Sequence, residues 1–413
     1  MKRQYVSISL GLVLTFVIGF GGGVLFDRSV LFQGAPPSEP ADARATFGVF
    51  WEAWRQVEQH YVDPSVLTPV NLTHGAIAGM VDALGDTGHS RFLTPKEVKA
   101  EQQSLAGTLE GIGVTVEMRD TGLTIVAPLD GSPAQKAGLM PGDVIEKVDG
   151  QDVTHMTLDQ ASQIIRGPRG TSVHLVVLRP GASEFLNFTV VRQEIQVPLV
   201  TWATIPGQHV ALIRISEFGD RTDDQLRNAL TEAKAAGDTS VVLDLRNDPG
   251  GLLDQAVRVT SEFVSKGNVL FEQDRSGTRK PLPVASGGIA TSVPLVVLVN
   301  HGTASAAEIV AGALQDHSRA QIVGDQTFGT GTVLNEFRLS DGSAILLGVE
   351  EWLTPNGHVI WKNGITPNRV IAEPPSVQPL LPEELRTMSV TDYQKRNDTQ
   401  IKAALQILQS QAP

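Results

Sequence analysis

The chain has no cysteine among its 413 residues. Disulfide scaffolding, thiolate metal sites and a cysteine nucleophile are thereby excluded together. The compartment is not fixed by this, because an exported protein can lack bridges. Positive charge is also in deficit: 33 Lys and Arg stand against 45 Asp and Glu, a formal net charge of −12. General nucleic-acid binding needs a basic face to displace counterions, so nucleic acid is not an expected partner. His and carboxylate residues do not fall at ligand spacings such as H-x3-H or H-E-x-x-H, so no metal is expected. Gly329-Thr330-Gly331-Thr332 lacks the lysine and third glycine of a phosphate cradle, and no cofactor is expected either. The remaining composition, 41% hydrophobic and 19% charged, is that of a folded body, and the length suits two or three domains.

One long hydrophobic run is present. Lys2 and Arg3 precede Ser7 to Phe26, a stretch of 20 residues without charge. At ~1.5 Å rise per residue a helix of that length just spans the hydrocarbon core. Positive charge before it predicts a cytoplasmic N-terminal side. Residues 1–30 therefore read as a membrane anchor, with a polar, proline-containing linker at 31–46 and the remainder extracytoplasmic. A cleaved signal peptide is the rival reading, but its apolar region is usually shorter and ends in an A-x-A-like site. Ala41-Asp42-Ala43 is such a site, far from the span.

Beyond the linker the texture changes three times. In 47–106, apolar and aromatic residues recur at helical spacing (Phe50, Trp51, Trp54, Val57, Tyr61), and Leu72 to Leu84 repeats the pattern before Gly85-Asp86-Thr87-Gly88 ends it. In 107–195, short alternating runs predict strands near 113–117, 124–127, 144–148, 173–178 and 187–192, with one helix at 158–165. In 196–373, near-continuous apolar strands (HVALIRI, SVVLDLR, PLVVLVN, AQIVG) alternate with amphipathic helices, which predicts a sheet covered on its faces. The fold class expected is therefore multi-domain α/β (α+β): anchor, helical region, β-rich module and α/β core. The tail, 374–413, reads as a polar linker and a weak helix.

In α/β sheets, sites gather at the C-terminal ends of strands. Two of these ends are glycine-rich: Asp248-Pro249-Gly250-Gly251 and His301-Gly302-Thr303-Ala304-Ser305. Within NHGTASAAEIVAG (300–312), Ser305-Ala-Ala-Glu308 fits the S-x-x-E capping box. It equally fits a nucleophile held at a helix N-terminus with bare backbone donors around it.

A set of segments in this order resembles the carboxyl-terminal processing peptidase (tail-specific protease) family: LEGIGVTV (109–116), GSPAQKAGLMPGDVIEKVDG (131–150), IIRGPRGT (164–171), VVLDLRNDPGGLL (241–253), PLVVLVNHGTASAAEIVAGALQD (294–316), TFGTGTVL (327–334) and TPNGHVIWKNGITPN (354–368). The likeness runs over roughly 47–372. It implies a PDZ module inserted before a serine-peptidase core, with polypeptides ending in exposed apolar C-termini as substrates. It implies Ser305 as nucleophile and the Ala306 amide as an oxyanion donor, joined by Gly250 or Gly251. The chemistry is coherent: a serine hydroxyl needs a base, and preorganised N–H donors are worth ~3 kcal/mol each to the developing oxyanion. Small neighbours such as Gly302, Ala304 and Ala306 admit a peptide backbone.

The family base is a lysine in TFGKGxVQ, held by the glutamine four residues on. Here Thr330 occupies the lysine position and Leu334 the glutamine position. A threonine hydroxyl does not accept a proton near neutral pH as a lysine of lowered pKa does. Either another base serves, with His301, His317 and Lys362 as candidates, or the chain is a catalytically impaired homologue that binds peptides as a scaffold. The resemblance further implies that Gly111, Ile112, Gly113 and Val114 form a carboxylate-binding loop, with Ala161 and Ile165 on the facing helix bordering a pocket for an apolar last residue. Arg166 is a candidate for sensing occupancy of that pocket.

Overall fold

A computed structural model describes residues 43–86, 89–119, 122–129, 131–372 and 379–411. The expected anchor lies outside the described residues, and among those residues no helix is long and apolar enough to cross a membrane. The chain divides into two units at Ala76/Ile77. The first holds the helix Arg44–His60, along which Phe47, Phe50, Trp51 and Trp54 form a run of ring contacts. Phe50 meets Trp51 edge-on at 5.0 Å between centroids.

The second unit contains the α/β core. Its main sheet runs β1 (Val200–Thr204), β2 (Val210–Ile215), β3 (Ser240–Asp244), β4 (Leu295–Val299), β5 (Gln321–Gly324) and β6 (Arg369–Val370), in that order. β1 pairs antiparallel with β2 and every other pair is parallel. The alternation along the strands explains the layering. Ala211, Ile213, Val241, Leu243, Leu295 and Val297 face one side, packed by α1 (Thr222–Ala235), α2 (Leu253–Phe263) and α3 (Ala306–Asp316). Leu212, Val242, Val296, Leu298 and Val323 face the other, packed by Ile401, Ala404 and Leu408 of the C-terminal helix Thr399–Gln411. A parallel sheet buried on both faces must be apolar at every position, which is why these strands read as continuous rather than alternating.

The tail is therefore more than the weak helix its pattern suggests. Its helix closes one face of the sheet, and Asp398 accepts from the buried Arg246 guanidinium at 2.9 Å, while Asp244 accepts from the same guanidinium at 2.8 and 2.9 Å.

A second sheet holds Thr332–Arg338, Ala344–Leu353, Asn268–Gln273, Arg279–Pro283 and the short strand Arg91–Leu93. Between residues 107 and 196 a separate β-rich module has its own core, including Ile112, Leu123, Ile125, Ile145, Ala161 and Val173. Its strands are Val114–Arg119, Gly122–Pro128, Val144–Val148, the short Gln151–Asp152, Ser172–Leu178 and Leu186–Val191, with the expected helix at Leu158–Ile165 and a second, short one at Pro133–Ala137 that the pattern did not signal. Thr108–Gly111 pairs with Gln193–Gln196 where the module leaves and rejoins the chain.

Because Ile401 is fully buried against the sheet, Ile401→Ala is expected to cost about 3 kcal/mol by loss of burial plus a residual cavity. Urea unfolding measures it; a cost under 0.5 kcal/mol would mean that the tail helix does not close the sheet in solution.

Candidate active site and peptide groove

Ser305 joins β4 to α3 with φ 53° and ψ −119°. A residue with a side chain held at positive φ costs on the order of 1–3 kcal/mol and must be over-determined by its surroundings. Two contacts supply that: the Ser305 N–H donates to Glu308 Oε2 at 2.9 Å and to Thr330 Oγ1 at 2.6 Å. Only half of the capping reading holds, because the serine side chain makes no cap hydrogen bond. Its hydroxyl makes no hydrogen bond among the described residues. The helix behind it is fixed, since every residue from Ala306 to Leu314 is buried.

Glu308 is the hub of the site. It is fully buried, and besides the Ser305 amide it accepts from Thr327 Oγ1 at 2.5 Å, Gly329 N at 2.8 Å, Thr330 N at 2.9 Å and Thr330 Oγ1 at 3.0 Å. The S-x-x-E spacing signalled that a glutamate would meet the Ser305 amide. Nothing in it signalled the loop 327–330.

The glycine turn abuts the serine. Gly250 and Gly251 take φ 99° and 133°, a region that penalises any side chain. A Cβ on Gly250 would sit 2.6 Å from Ser305 Cβ and 2.8 Å from the Ala306 nitrogen, and one on Gly251 would run into the Phe218 carbonyl. The Gly250 N–H donates to Asp248 Oδ1 at 2.8 Å, so its expected role as an oxyanion donor is not open to it. Gly250 supplies space instead. The N–H groups of Gly251 and Ala306 donate to nothing among the described residues. Two unspent backbone donors thus lie in the two segments that meet at Ser305, the arrangement that stabilises charge on an attacked carbonyl.

A profile of peptidase family S41 matches residues 209–371, and a PDZ domain profile matches 124–179. The carboxyl-terminal-processing protease of Synechocystis is 36% identical over 378 residues, covering 86% of this chain and 85% of its own length. The carboxy-terminal processing protease CtpA of Bacillus subtilis is 34% identical over 375 residues, covering 91% and 78%. The chain belongs to the carboxyl-terminal processing proteases. A solved structure described as an S41 protease of Bacteroides fragilis shares the fold, with a TM-score of 0.52 at 20% identity over 87% of this chain and 97% of its own.

Thr330 and Leu334 stand where the resemblance implies a lysine and a glutamine. The Thr330 hydroxyl is spent between the Ser305 amide and Glu308 and carries no titratable group. Leu334 packs on Leu93, Val98, Ala344 and Leu346, so a glutamine there would bring a polar amide into an apolar cluster. The candidate replacement bases do not reach Ser305. His301 is exposed and makes no hydrogen bond to the serine. His317 caps the far end of α3 and bonds the Asn268 carbonyl at 2.8 Å. Lys362 is exposed, with its ammonium 4.4 Å from the Trp361 ring centroid.

The PDZ module presents a groove of about 580 Å³ lined by Gly111, Ile112, Gly113, Val114, Leu158 and Ile165, among others. The N–H groups of Ile112 and Gly113 donate to nothing among the described residues, which suits capture of a carboxylate. Ala161 does not border this groove. It is fully buried in the module core, because the groove face of the helix runs Leu158, Ser162, Ile165, Arg166, at i, i+4, i+7 and i+8. Arg166 lines the groove and also a second cavity with Glu101 and Glu217.

Two buried groups escaped the sequence reading. His89 is one. Its Nδ1 lies 2.5 Å from Thr332 Oγ1. Asp248 is the other, with 0% exposure and an Oδ2 that has no partner. Its carbonyl accepts from Ala304 N at 2.9 Å, so it braces both the serine loop and the glycine turn. Burial pushes the Asp248 carboxyl well above the ordinary range. The folded chain thus holds this proton to higher pH than the unfolded chain does. The associated stability is complete below the unfolded pKa of about 3.9 and is lost as pH rises toward the folded value. Asp248→Asn, which cannot ionise, is expected to melt above the parent protein by a margin that widens from pH 4 upward. Melting temperatures across pH 4–8 test this; a constant or shrinking margin contradicts it.

Proposed function

We propose that this chain is a serine endopeptidase that cleaves extracytoplasmic polypeptides near apolar C-termini gripped by its PDZ groove. Ser305 attacks the scissile carbonyl, the Ala306 and Gly251 amides receive the oxyanion, and the acyl-enzyme is released by water. The observation that carries the reading is the uncommitted Ser305 hydroxyl, held by a strained backbone beside two unspent amides. The uncharged run from Ser7 to Phe26 behind Lys2 and Arg3 supports a membrane anchor with the catalytic body outside the cytoplasm. The unpaired amides of Ile112 and Gly113 support carboxylate capture.

A second reading, a peptide-binding scaffold without catalysis, is favoured by the paired losses at Thr330 and Leu334. The intact nucleophile loop and glycine turn weigh against it, since a scaffold has no need of unspent amides at a strained serine. Ser305→Ala is expected to lower turnover of a peptide with an apolar C-terminus by at least 100-fold while leaving peptide binding unchanged. Equal turnover by the two proteins would leave the scaffold reading standing.

A further inference from the structure

A single large apolar side chain left in water is ordinary on a protein surface. Phe328 differs from that case in what holds it and in what it stands beside. Its ring is 55% exposed, while its neighbours Thr327, Gly329 and Thr330 are all buried.

The inner side of this loop is full. Thr327 Oγ1 donates to Glu308 and accepts from the Ile365 N–H at 2.7 Å, and the Gly329 and Thr330 amides also end on Glu308. The Lys362 N–H donates to the Gly329 carbonyl at 2.8 Å. A Cβ on Gly329 would already stand 3.1 Å from the Gly364 nitrogen. The backbone on both sides of Phe328 is therefore fixed, and its ring is presented to solvent by a held segment rather than by a loose one.

The same segment lies against the nucleophile. The Phe328 N–H donates to the Thr303 carbonyl at 3.0 Å, two residues before Ser305. Thr330, two residues after Phe328, accepts from the Ser305 N–H at 2.6 Å through its hydroxyl. Phe328 is thus bracketed between a bond to the chain that enters Ser305 and a bond to Ser305 itself. Two residues of chain span at most about 7 Å. Successive residues of an extended peptide are spaced by about 3.3 Å, so the side chains that flank a bond held at Ser305 fall in the same range. Gly302 is exposed and Ala304 half-buried, and these positions on either side of Thr303 put nothing larger than a methyl group beside the ring.

We propose that Phe328 is a specificity-determining residue of this protease, its ring forming the wall of a subsite for an aliphatic side chain next to the scissile bond; this rests on Ser305 being the nucleophile. The ring carries no hydrogen-bonding or titratable group, so it rewards a substrate side chain only by removing apolar surface from water. Leucine or valine gains from the contact, serine gains little, and aspartate loses hydration without a partner. Two apolar selections then act in series. The PDZ groove chooses the polypeptide by its terminus, and Phe328 chooses the bond that is cut.

The test measures kcat and KM for the parent chain, Phe328→Ala, Phe328→Leu and Ser305→Ala. The peptides share one apolar C-terminus and carry leucine, serine or aspartate on either side of the cleaved bond, with cleavage sites read by mass spectrometry. The parent is expected to prefer leucine on at least one side, with the preference carried by KM. Phe328→Ala is expected to contract that preference at least tenfold, about 1.4 kcal/mol, and Phe328→Leu to recover most of it. Fluorophosphonate modification of Ser305, which needs no peptide, is expected to change less than twofold in either variant. An unchanged preference in Phe328→Ala overturns the subsite. So does an equal loss on leucine, serine and aspartate peptides, or a fall in modification that matches the fall in turnover, because the ring then acts on the loop and not on the substrate. Equal turnover by the parent and Ser305→Ala, or none by the parent, overturns the nucleophile reading and the subsite with it.

Discussion

One buried carboxylate holds the site together. Glu308 takes five hydrogen bonds from four residues in two segments: the Ser305 amide at the head of α3, and the backbone and hydroxyls of Thr327, Gly329 and Thr330. A buried carboxylate short of donors costs several kcal/mol, so neither side can move away without penalty. The same bonds hold Ser305 at its positive φ, and the Ala306 amide, in the first turn of the helix, has no intrahelical acceptor. The geometry of Ser305 is therefore set jointly by the two segments that meet at Glu308, the head of α3 and the loop 327–330.

A second buried charge network sets the position of the glycine turn. Arg246 lies two residues before Asp248 and is gripped by Asp244 from its own strand and by Asp398 from the C-terminal region. The end of β3, from which the turn 248–251 departs, is thereby tied to the helix that closes the far face of the sheet. Asp248 then passes the constraint on, bonding the Gly250 amide with its side chain and the Ala304 amide with its carbonyl. The sequence of ties runs from tail to strand end, to turn, to serine loop.

Much of this was legible in the residues and some was not. The buried strands announced themselves as continuous apolar runs because both faces are covered, and the small residues around Ser305 and at 250–251 announced close backbone approach. The bond that consumes the Gly250 amide was invisible, since it depends on the rotamer of Asp248 rather than on any spacing. Ala161 was misplaced by one residue: Leu158 and Ser162 share the groove face, and Ala161, just before Ser162, turns into the core. The weight of the tail was hidden because its partners, Val242, Val296 and Leu298, lie more than a hundred residues earlier. His89 gave no sign of itself for the same reason. Its partner Thr332 is 243 positions away, and a lone histidine after a glycine turn has no periodicity to betray its burial.

Membership of the carboxyl-terminal processing proteases is compatible with a threonine at position 330 once the site is read as a clamp. Thr330 brings no titratable group but bonds both Glu308 and the Ser305 amide, so the loop stays anchored to the serine. That anchoring is tested most directly by Glu308→Gln, which keeps the volume but replaces one accepting oxygen with an amide. Modification of Ser305 by a fluorophosphonate, followed by mass spectrometry on protein shown to be folded, is expected to slow by at least 100-fold. A folded Glu308→Gln protein that is modified at the parent rate would show that the serine owes its geometry to something other than this carboxylate.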